Sequence, residues 1–236
     1  MFISLTTCRT MSGICKRTQR RRSSLSGFLI GVTNFFRDPE ALQALKQEGL
    51  AHLFEHAAPE KELRAWIPGC STGEEAYSLA ITIAEFMEEH HVQMDVTIFA
   101  TDLDEDAVEI ARRGEYPASI AADVSQQRLD RHFTKSDQQS RVNHNIRSMI
   151  VFSVQDLVKD PPFTRLHILS CRNLMQQRLR PIFHYSLHPG GILFLGTSET
   201  IGNFTELFGT LDKVNRIYER KRHPLSQLNA YFTVSF

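Results

Sequence analysis

Short apolar runs alternate with segments of helical periodicity from residue 63 onward. The runs have the length of buried strands, and the segments between them place apolar side chains on one helical face. Asp104 is a favourable N-cap and Gly114 a favourable stop for one of these helices. The predicted strands are residues 63–67, 96–101, 149–154, 166–170 and 191–196, and the predicted helices are residues 74–89, 104–113 and 176–187.

This alternation predicts an α/β fold. Because strand–helix–strand connections are right-handed, the strands should form a mostly parallel, Rossmann-like sheet covered on both faces. Residues 214–219 alternate apolar and polar side chains, which predicts an antiparallel last strand. Residues 115–147 interrupt the rhythm, and we expect a small insert with one helix (125–133) and a strand or hairpin. Such an insert can carry partner recognition or merely cover the sheet.

A helical element precedes the first strand. Asp38 is suited to the N-cap, Pro39 to the first helical position and Glu40 to the positively polarised first turn. An apolar stripe continues to Phe54, and Gly49 is expected to break the element into two short helices. The element is too small for a core of its own, so it must pack on the sheet.

Composition divides the chain into four parts. Residues 1–26 are rich in Arg, Lys, Ser and Thr and contain no acidic residue, so we expect a disordered basic head. The head resembles an organelle transit peptide and could touch nucleic acid or acidic lipid, but we favour a non-native or mis-assigned start or a solvated linker. Residues 27–62 form the helical part, residues 63–220 the main domain and residues 221–236 a tail.

Overall charge and cysteine content narrow the setting. The formal net charge of the 236 residues is +0, which gives no general attraction to nucleic acid or membrane. The four cysteines, Cys8, Cys15, Cys70 and Cys171, form no Cys-x-x-Cys pair, which favours thiols in a reducing compartment. No run of about 18 apolar residues occurs. We therefore expect a cytoplasmic protein without membrane insertion.

The strongest candidate for a ligand site is residues 66–78, WIPGCSTGEEAYS, between a predicted strand and a predicted helix. Gly69 and Gly73 permit backbone angles and close approaches that a side chain would forbid. Glu74 and Glu75 stand at the helix start, where negative charge would repel a phosphate. The stretch also lacks the lysine of G-x-x-x-x-G-K-[ST] and the spacing of G-x-G-x-x-G. It favours a neutral or cationic adenosine-type ligand over ATP or NAD.

Two aspartates follow other strands and should lie at the same edge of the sheet. Asp102 ends the second strand, where an acid can accept the two ribose hydroxyls of an adenosine. Asp156 follows the next strand, where a carboxylate could accept from the adenine amine. A lone aspartate at such a place more often caps a helix, and the combination with the glycine turn favours the site.

Competing kinds of chemistry have weaker support. His184-x-x-x-His188 has helical spacing for a metal pair but lacks a third ligand nearby, so we predict no metal site. Ser71 lies outside a G-x-S-x-G elbow. Cys70 and Cys171 are expected to be small apolar fillers, because no histidine is placed to activate them.

Several motifs together resemble one known family, the CheR-type chemotaxis receptor methyltransferases, and within it most closely the CheR portions of CheB/CheR-like fusion proteins. The similarity runs from about residue 32 to residue 220. The motifs are Thr33-Asn-Phe-Phe-Arg37-Asp38, Gly69-Cys-Ser-Thr-Gly-Glu-Glu-Ala-Tyr-Ser78, Ala100-Thr-Asp102-Leu-Asp104, Val154-Gln-Asp156-Leu157, Ser170-Cys-Arg-Asn173-Leu174 and Pro189-Gly-Gly-Ile-Leu-Phe-Leu-Gly196.

The resemblance implies the fold of S-adenosylmethionine-dependent methyltransferases and methyl transfer to glutamate side chains of chemoreceptors. It implies that residues 115–147 correspond to a small β-subdomain that contacts receptors. Arg37 is the residue expected to orient the reacting groups, since its guanidinium can pair with a carboxylate. The implied cofactor contacts are Thr33, Arg37, Gly69, Glu75, Asp102, Asp156, Leu157, Asn173 and Leu174.

The chain also departs from the family. Residues 27–62 resemble only a remnant of its N-terminal helical domain, Ser140 stands where an aromatic residue is common, and about eight residues, including a tyrosine, are missing after Asn173. One alternative is therefore a catalytically impaired domain that binds the cofactor or a signalling partner. A second is a small-molecule methyltransferase or another adenosine-binding enzyme.

Overall fold

A computed structural model of the chain describes residues 33–56, 61–172, 179–202 and 204–222. The predicted head and most of the predicted tail lie outside these ranges, as do Asn173 and Leu174. Within the described ranges, no helix is both long enough and apolar enough to cross a bilayer. The four-part division of the chain stays a prediction.

The described residues contain ten strands. In chain order they are β1 (Glu62–Pro68), β2 (Asp95–Asp102), β3 (Glu115–Pro117), β4 (Phe133–Lys135), β5 (Gln139–Val142), β6 (Ile150–Val154), β7 (Leu166–Cys171), β8 (Leu187–Leu195), β9 (Phe208–Asp212) and β10 (Ile217–Arg220). Seven of them form the central sheet in the order β6-β2-β1-β7-β8-β10-β9. The neighbours from β6 to β8 are parallel, whereas β10 runs antiparallel to both β8 and β9.

The order of the parallel strands fixes where a ligand can bind. In order of sequence these five strands are arranged 3-2-1-4-5, so the chain leaves β1 in one direction and returns to β7 on its other side. Ligands of such sheets bind beyond the carboxyl ends of the strands at this reversal. The switch point here lies between the ends of β1 and β7.

Strand β1 lies at the centre of the fold because both of its faces are buried. Its seven residues pair in register with β2, from Glu62 opposite Asp95 to Pro68 opposite Thr101. Side chains of a strand alternate between faces. Ala65 and Ile67 accordingly join the larger hydrophobic cluster, while Trp66 joins a second cluster on the other face.

Seven α-helices cover the sheet and the insert. They are α1 (Pro39–Ala44), α2 (Ala51–His56), α3 (Glu74–Glu89), α4 (Glu105–Arg113), α5 (Gln126–His132), α6 (His144–Arg147) and α7 (Arg180–Ser186), all within the described residues. Helix α3 has the predicted bounds. Helix α4 has the predicted caps, since the Asp104 side chain accepts from the amides of Asp106 and Ala107 and Gly114 ends the helix at φ 63°.

The expected break at Gly49 is wrong. A π-helical segment, Leu45–Leu50, joins α1 to α2 without interruption. A Cβ on Gly49 would lie 2.8 Å from Leu45 Cδ1 and 3.5 Å from Ile217 Cγ2. Glycine therefore serves close packing on the sheet here rather than ending the helix.

The expected cap of α1 is also wrong. The helix begins at Pro39 as predicted, but Asp38 has φ 53° and its side chain makes no capping bond. That carboxylate instead accepts from Arg172. A distant cation thus takes the side chain that local sequence assigned to the helix start.

The segment 115–147 is the insert predicted from the sequence, with more structure than expected. Its strands form a separate antiparallel sheet in the order β3-β5-β4. A 3-10 turn, Ala118–Ala122, and helix α5 lie between β3 and β4. The α/β class, the mostly parallel sheet, the antiparallel last strand and the small β-insert are all confirmed.

At the carboxyl-terminal end, one prediction is wrong and one strand was not predicted. Pro189, Gly190 and Gly191 lie within β8 rather than forming a helix stop, because α7 already ends at Ser186. Strand β9 was not predicted at all. Among the described strands it pairs only with β10, so it depends on a neighbour that local sequence pattern does not show.

Candidate functional site

The glycine turn after β1 is held by the end of β2. The amides of Gly69 and Cys70 both donate to the carbonyl oxygen of Thr101, at 2.7 and 3.0 Å. Three residues of the turn have positive φ: Gly69 at 72°, Ser71 at 48° and Gly73 at 95°. The backbone therefore folds back at the switch point in a form that glycine permits.

Asp102 organises the same turn through its side chain. One carboxylate oxygen accepts from the Ser71 amide at 2.7 Å, and the other accepts from the Asp104 amide at 3.0 Å. A carboxylate has about four acceptor positions, so both oxygens can still accept from ligand hydroxyls. The hydroxyl of Thr101, next to Asp102, accepts from the indole nitrogen of Trp66 at 3.0 Å.

The start of α3 is braced by the insert. The Tyr116 hydroxyl donates to the carbonyl oxygen of Thr72 at 2.7 Å, and the Thr72 hydroxyl donates to Glu74 at 2.6 Å. A Cβ on Gly73 would lie 2.8 Å from Ala111 Cβ and 3.1 Å from the Tyr116 oxygen. The turn is thus closely packed on its outer side as well.

Glu75 connects α3 to the end of β7 across the switch point. Its Oε1 accepts from the Ser170 hydroxyl at 2.6 Å. Burial raises the pKa of Glu75, and the positive charges of Arg172 and Arg37 oppose that rise. Burial also raises the pKa of Glu74. The site therefore concentrates negative charge that a cationic ligand would stabilise.

Arg37 lies on a turn that is fastened on both sides. The Phe36 amide donates to the Ser78 hydroxyl at 2.8 Å, and Arg172 Nη1 donates to the Arg37 carbonyl oxygen at 2.9 Å. Phe36 and Asp38 both have positive φ, at 49° and 53°. Two positive φ values in non-glycine residues are uncommon and need such support. Residue 37 itself is exposed, so the turn presents it at the surface of the site.

Arg172 is the buried cation of the site. It is 6% exposed, pairs with the Asp38 carboxylate and lies with its guanidinium carbon 5.2 Å from the centre of the Phe194 ring. Buried charges need such partners, because desolvation otherwise disfavours them. Arg172 thereby ties the segment before α1 to the ends of β7 and β8.

Asp156 and Leu157 lie beside this centre, after β6. The amide of Gln155 donates to the carbonyl oxygen of Asp102 at 2.9 Å, so the two strand ends are adjacent. Asp156 accepts from the Val158 amide at 3.0 Å and pairs with Lys159 at 2.8 Å, and these contacts lower its pKa. Asp156 therefore caps the turn that follows β6, which is the more common role of a lone aspartate at the end of a strand.

The predicted residues are brought together to different degrees. Gly69, Glu75 and Asp102 surround the switch point, and the turn carrying Arg37 is bonded to it. Thr33 precedes that turn and is partly buried, and Leu157 is partly buried against the second hydrophobic cluster. Asn173 and Leu174 lie outside the described residues.

The predicted site residues do not include three polar side chains that hold the site: Ser78, Ser170 and Arg172. Each is at most 6% exposed, and each bonds to a residue far away in the chain. The available signal was a hydroxyl on an otherwise apolar face, as at Ser78 in α3 and Ser170 in β7. That signal marks burial of a polar group but does not name its partner.

The competing residues take structural positions. Cys70 is 1% exposed and burial raises its thiol pKa, so it is held in the neutral form. Cys171 is buried in the second hydrophobic cluster. His184 and His188 do not share a helix, because α7 ends between them. In the described ranges, no group of three or more His, Cys, Asp or Glu could hold a metal ion.

A concavity lies on the insert. It has a volume of about 420 Å³ and is lined by residues of β3, β4, β5 and α6. Its lining holds three basic side chains, Lys135, Arg141 and Arg147, and one acidic side chain, Glu115. Because Glu115 pairs with Arg141 and the neighbouring Asp130 pairs with Lys135, the excess of positive charge is modest. Such a surface attracts acidic ligands.

The arrangement at the switch point suits an adenosine-type cofactor. Glycine backbone lets a flat group approach, Asp102 offers acceptors for hydroxyls, and Glu74 and Glu75 favour a positive group over a phosphate. Together with the strand order, this defines an α/β domain of the S-adenosylmethionine-dependent methyltransferase class. Residues 31–217 match the family model described as "CheR methyltransferase, SAM binding domain". The chain belongs to that family.

Individual relatives differ in length. The chain is 38% identical over 201 residues to the "Uncharacterized 104.1 kDa protein in hypE 3'region" of Rhodobacter capsulatus, an alignment that covers 82% of this chain and 21% of that protein. It is 30% identical over 215 residues to "Chemotaxis protein methyltransferase 1" of Pseudomonas aeruginosa, covering 84% and 78%. A solved SAM-dependent methyltransferase from Thiobacillus denitrificans aligns at 16% identity with a TM-score of 0.37, covering 66% of this chain and 47% of that chain.

Family membership confirms three predictions from the sequence: the family, S-adenosylmethionine as cofactor, and a methyltransferase as the class of enzyme. The chain spans about a fifth of the Rhodobacter relative and about four fifths of the Pseudomonas relative. The methyl acceptor and the individual roles of the site residues are therefore proposals, which follow.

Proposed function

We propose that this domain transfers a methyl group from S-adenosylmethionine to glutamate side chains of a chemoreceptor-type protein in chemotaxis-type signalling. The observation that carries the proposal is the turn at Arg37. It presents a cation beside a strongly acidic cofactor site, and a cation there can hold an acceptor carboxylate by a bidentate pair. Relatives named chemotaxis protein methyltransferases support a role in chemotaxis.

The reaction needs alignment more than acid–base help. When bound, S-adenosylmethionine would supply a methyl group on a positively charged sulfur, and transfer of that methyl group to the carboxylate would leave S-adenosylhomocysteine and a glutamate methyl ester. A glutamate with a pKa of about 4.3 is already ionised at neutral pH, so no side chain has to remove a proton. Arg37 orients the acceptor carboxylate and the closely packed turn excludes water.

The cofactor roles follow from the positions described above. Asp102 would accept from the ribose hydroxyls of the cofactor, and Glu75 would supply negative charge for its positively charged end. Gly69 allows close approach of the cofactor to the backbone. We assign the remaining predicted contacts, including those outside the described residues, to the same side of the site: Thr33, Asp156, Leu157, Asn173 and Leu174.

The partner would be the cytoplasmic part of a receptor, which places the enzyme in the cytoplasm. The basic concavity of the insert supports an acidic receptor segment as its ligand, because Lys135, Arg141 and Arg147 line it. The insert would hold the receptor while the switch point carries the chemistry.

The test is calorimetric titration with S-adenosylmethionine combined with a base-labile methyl assay on receptor fragments. The wild-type chain should bind and transfer. Asp102→Asn should weaken cofactor binding by about tenfold or more, because a neutral amide is a poorer acceptor for two hydroxyls. Asp104→Asn is the matched control, since asparagine can still cap α4 and Asp104 is exposed.

Each outcome of these assays supports one of the alternative functions or contradicts a proposed role. Binding without methyl transfer would support the impaired domain instead of an active enzyme. Turnover that survives Arg37→Ala and deletion of residues 115–147 would support a small-molecule acceptor. Equal affinities of the Asp102→Asn and Asp104→Asn chains would contradict the cofactor role of Asp102.

A further inference from the structure

The insert packs directly on the segment that carries Arg37. The Phe35 ring meets the Tyr116 ring edge-on at 4.8 Å and the Phe133 ring at 5.5 Å, measured between ring centres. Phe35 is 2% exposed. Aromatic pairs in such geometry add attraction beyond their burial. The residues just before Arg37 are therefore part of the interface between the insert and the main domain.

Arg128, on helix α5 of the insert, makes the second contact with this segment. Its guanidinium carbon lies 4.0 Å from the centre of the Phe36 ring. The same guanidinium donates to both carboxylate oxygens of Glu85 on α3, from Nε at 2.7 Å and from Nη2 at 2.8 Å. A bidentate pair fixes the plane of the guanidinium, so the face against Phe36 is fixed too.

The pair that holds Arg128 is partly sheltered. The side chains of Arg128 and Glu85 are 25% and 15% exposed. Burial raises the pKa of Glu85, but Arg128 and Lys46 outweigh that effect and the pKa lies below its ordinary value. Glu85 is thus ionised at neutral pH, and the ion pair between Arg128 and Glu85 is formed at that pH.

We propose that Arg128 is a positioning residue for methyl transfer, which holds Phe36, and through it Arg37, in the active arrangement. The inference rests on the proposed function of Arg37. Phe36 has φ 49° and donates its amide to Ser78, so the Arg37 turn depends on the exact seat of Phe36. The insert then has two tasks, since it supports the reacting site as well as facing a partner.

The chain offers a matched control one turn further along α5. Arg131 pairs with Glu88 on α3, as Arg128 pairs with Glu85, and both pairs join positions 43 apart in the sequence. The Arg131 and Glu88 side chains are more exposed, at 47% and 57%. The structure gives Arg131 no ring contact with Phe36 among the described residues.

The experiment compares Arg128→Ala, Arg128→Lys and Arg131→Ala in the full chain. It measures kcat and KM of methyl transfer, cofactor affinity, and hydrogen exchange of the peptide that contains the Phe36 amide. Arg128→Ala should lower kcat and speed exchange by about tenfold, with cofactor affinity within about threefold of wild type. Arg131→Ala should change neither kcat nor the exchange rate.

Two further variants separate positioning from general stability. Lysine at position 128 keeps the charge but lacks a planar face. The kcat and the exchange rate of Arg128→Lys should therefore lie between those of wild type and Arg128→Ala, while its melting temperature stays that of wild type. In a Phe36→Leu chain, removal of Arg128 should have little additional effect on kcat, because the two residues act through one contact.

The results separate this inference from the proposed function. Equal kcat and equal exchange in the Arg128→Ala and Arg131→Ala chains would overturn the role of Arg128 and leave the function intact. A wild-type chain that binds cofactor but transfers no methyl group would remove the proposed function. Hydrogen exchange would still decide whether Arg128 holds Phe36.

Discussion

Replacement of Arg172 by glutamine should destabilise the fold and the Arg37 turn together. The change removes the charged donor to the Arg37 carbonyl oxygen and the ion pair with Asp38. Breaking a buried ion pair costs about 3–5 kcal/mol in general. Because the Asp38 side chain is 36% exposed, solvent compensates part of the loss, and we expect about 3 kcal/mol. For a chain of this length, that corresponds to a fall of about 6–12 °C in Tm.

The same substitution should change the titration of Glu75. Arg172 is the strongest influence that lowers the pKa of this carboxyl, which burial raises. Its loss should raise the pKa further, so that protonated Glu75 persists to higher pH. Cofactor binding, which favours ionised Glu75, should then begin at higher pH than in wild type.

Calorimetric unfolding and cofactor titrations at several pH values measure both effects. Arg172→Lys is the control, because it keeps the charge near Glu75 but cannot reach both Arg37 and Asp38 with a planar fork. We expect it to retain the titration and lose part of the stability. If Arg172→Gln lowers the free energy of unfolding by less than about 1 kcal/mol and leaves the pH dependence of binding unchanged, Arg172 does not hold the Arg37 turn in the way described.

Three further predictions concern the glycine turn, the carboxylate of Glu75 and the insert. Gly73→Ala should cost about 3 kcal/mol, because φ is 95° and the new Cβ would lie 2.8 Å from Ala111 Cβ; chemical denaturation measures this, and a loss under about 1 kcal/mol would contradict it. S-adenosylmethionine should bind wild type more tightly as pH rises through the raised pKa of Glu75, since a cation favours the ionised form. Glu75→Gln should flatten most of that slope in calorimetry, with the raised pKa of Glu74 supplying the remainder, and an unchanged slope would exclude Glu75 as its source. Arg141→Glu should raise KM for an acidic receptor fragment several-fold without changing cofactor affinity, and an unchanged KM would argue against the insert as docking surface.

The sequence predicted the framework well where local signals were strong. Helix α3 was placed at its observed bounds, because a glycine-bounded turn precedes it and one apolar face runs through it. Strand β9 escaped prediction, since Phe208–Asp212 is a strand only through its pairing with β10. Local pattern predicts elements that bury a regular face and misses those that a neighbour stabilises.

The site was predicted in location but not in its supports. The rule for parallel sheets places Gly69 and Asp102 together from the sequence alone. The contacts that hold the rest of the candidate site include Glu75 with Ser170 and Arg37 with Arg172, which join positions 95 and 135 apart. No local pattern encodes such a pairing. The mistaken cap at Asp38 has the same cause, because its side chain serves Arg172 instead.

Trp66 gives the molecule an internal optical reporter. It is the only tryptophan of the chain, and its indole donates to the hydroxyl of Thr101, whose carbonyl oxygen holds the glycine turn. Its ring is also enclosed by Phe163 and Phe183. A shift of the turn on ligand binding would move Thr101 and thereby change the surroundings of the Trp66 indole. Intrinsic fluorescence in a stopped-flow instrument can therefore follow seating of the cofactor in the unlabelled chain.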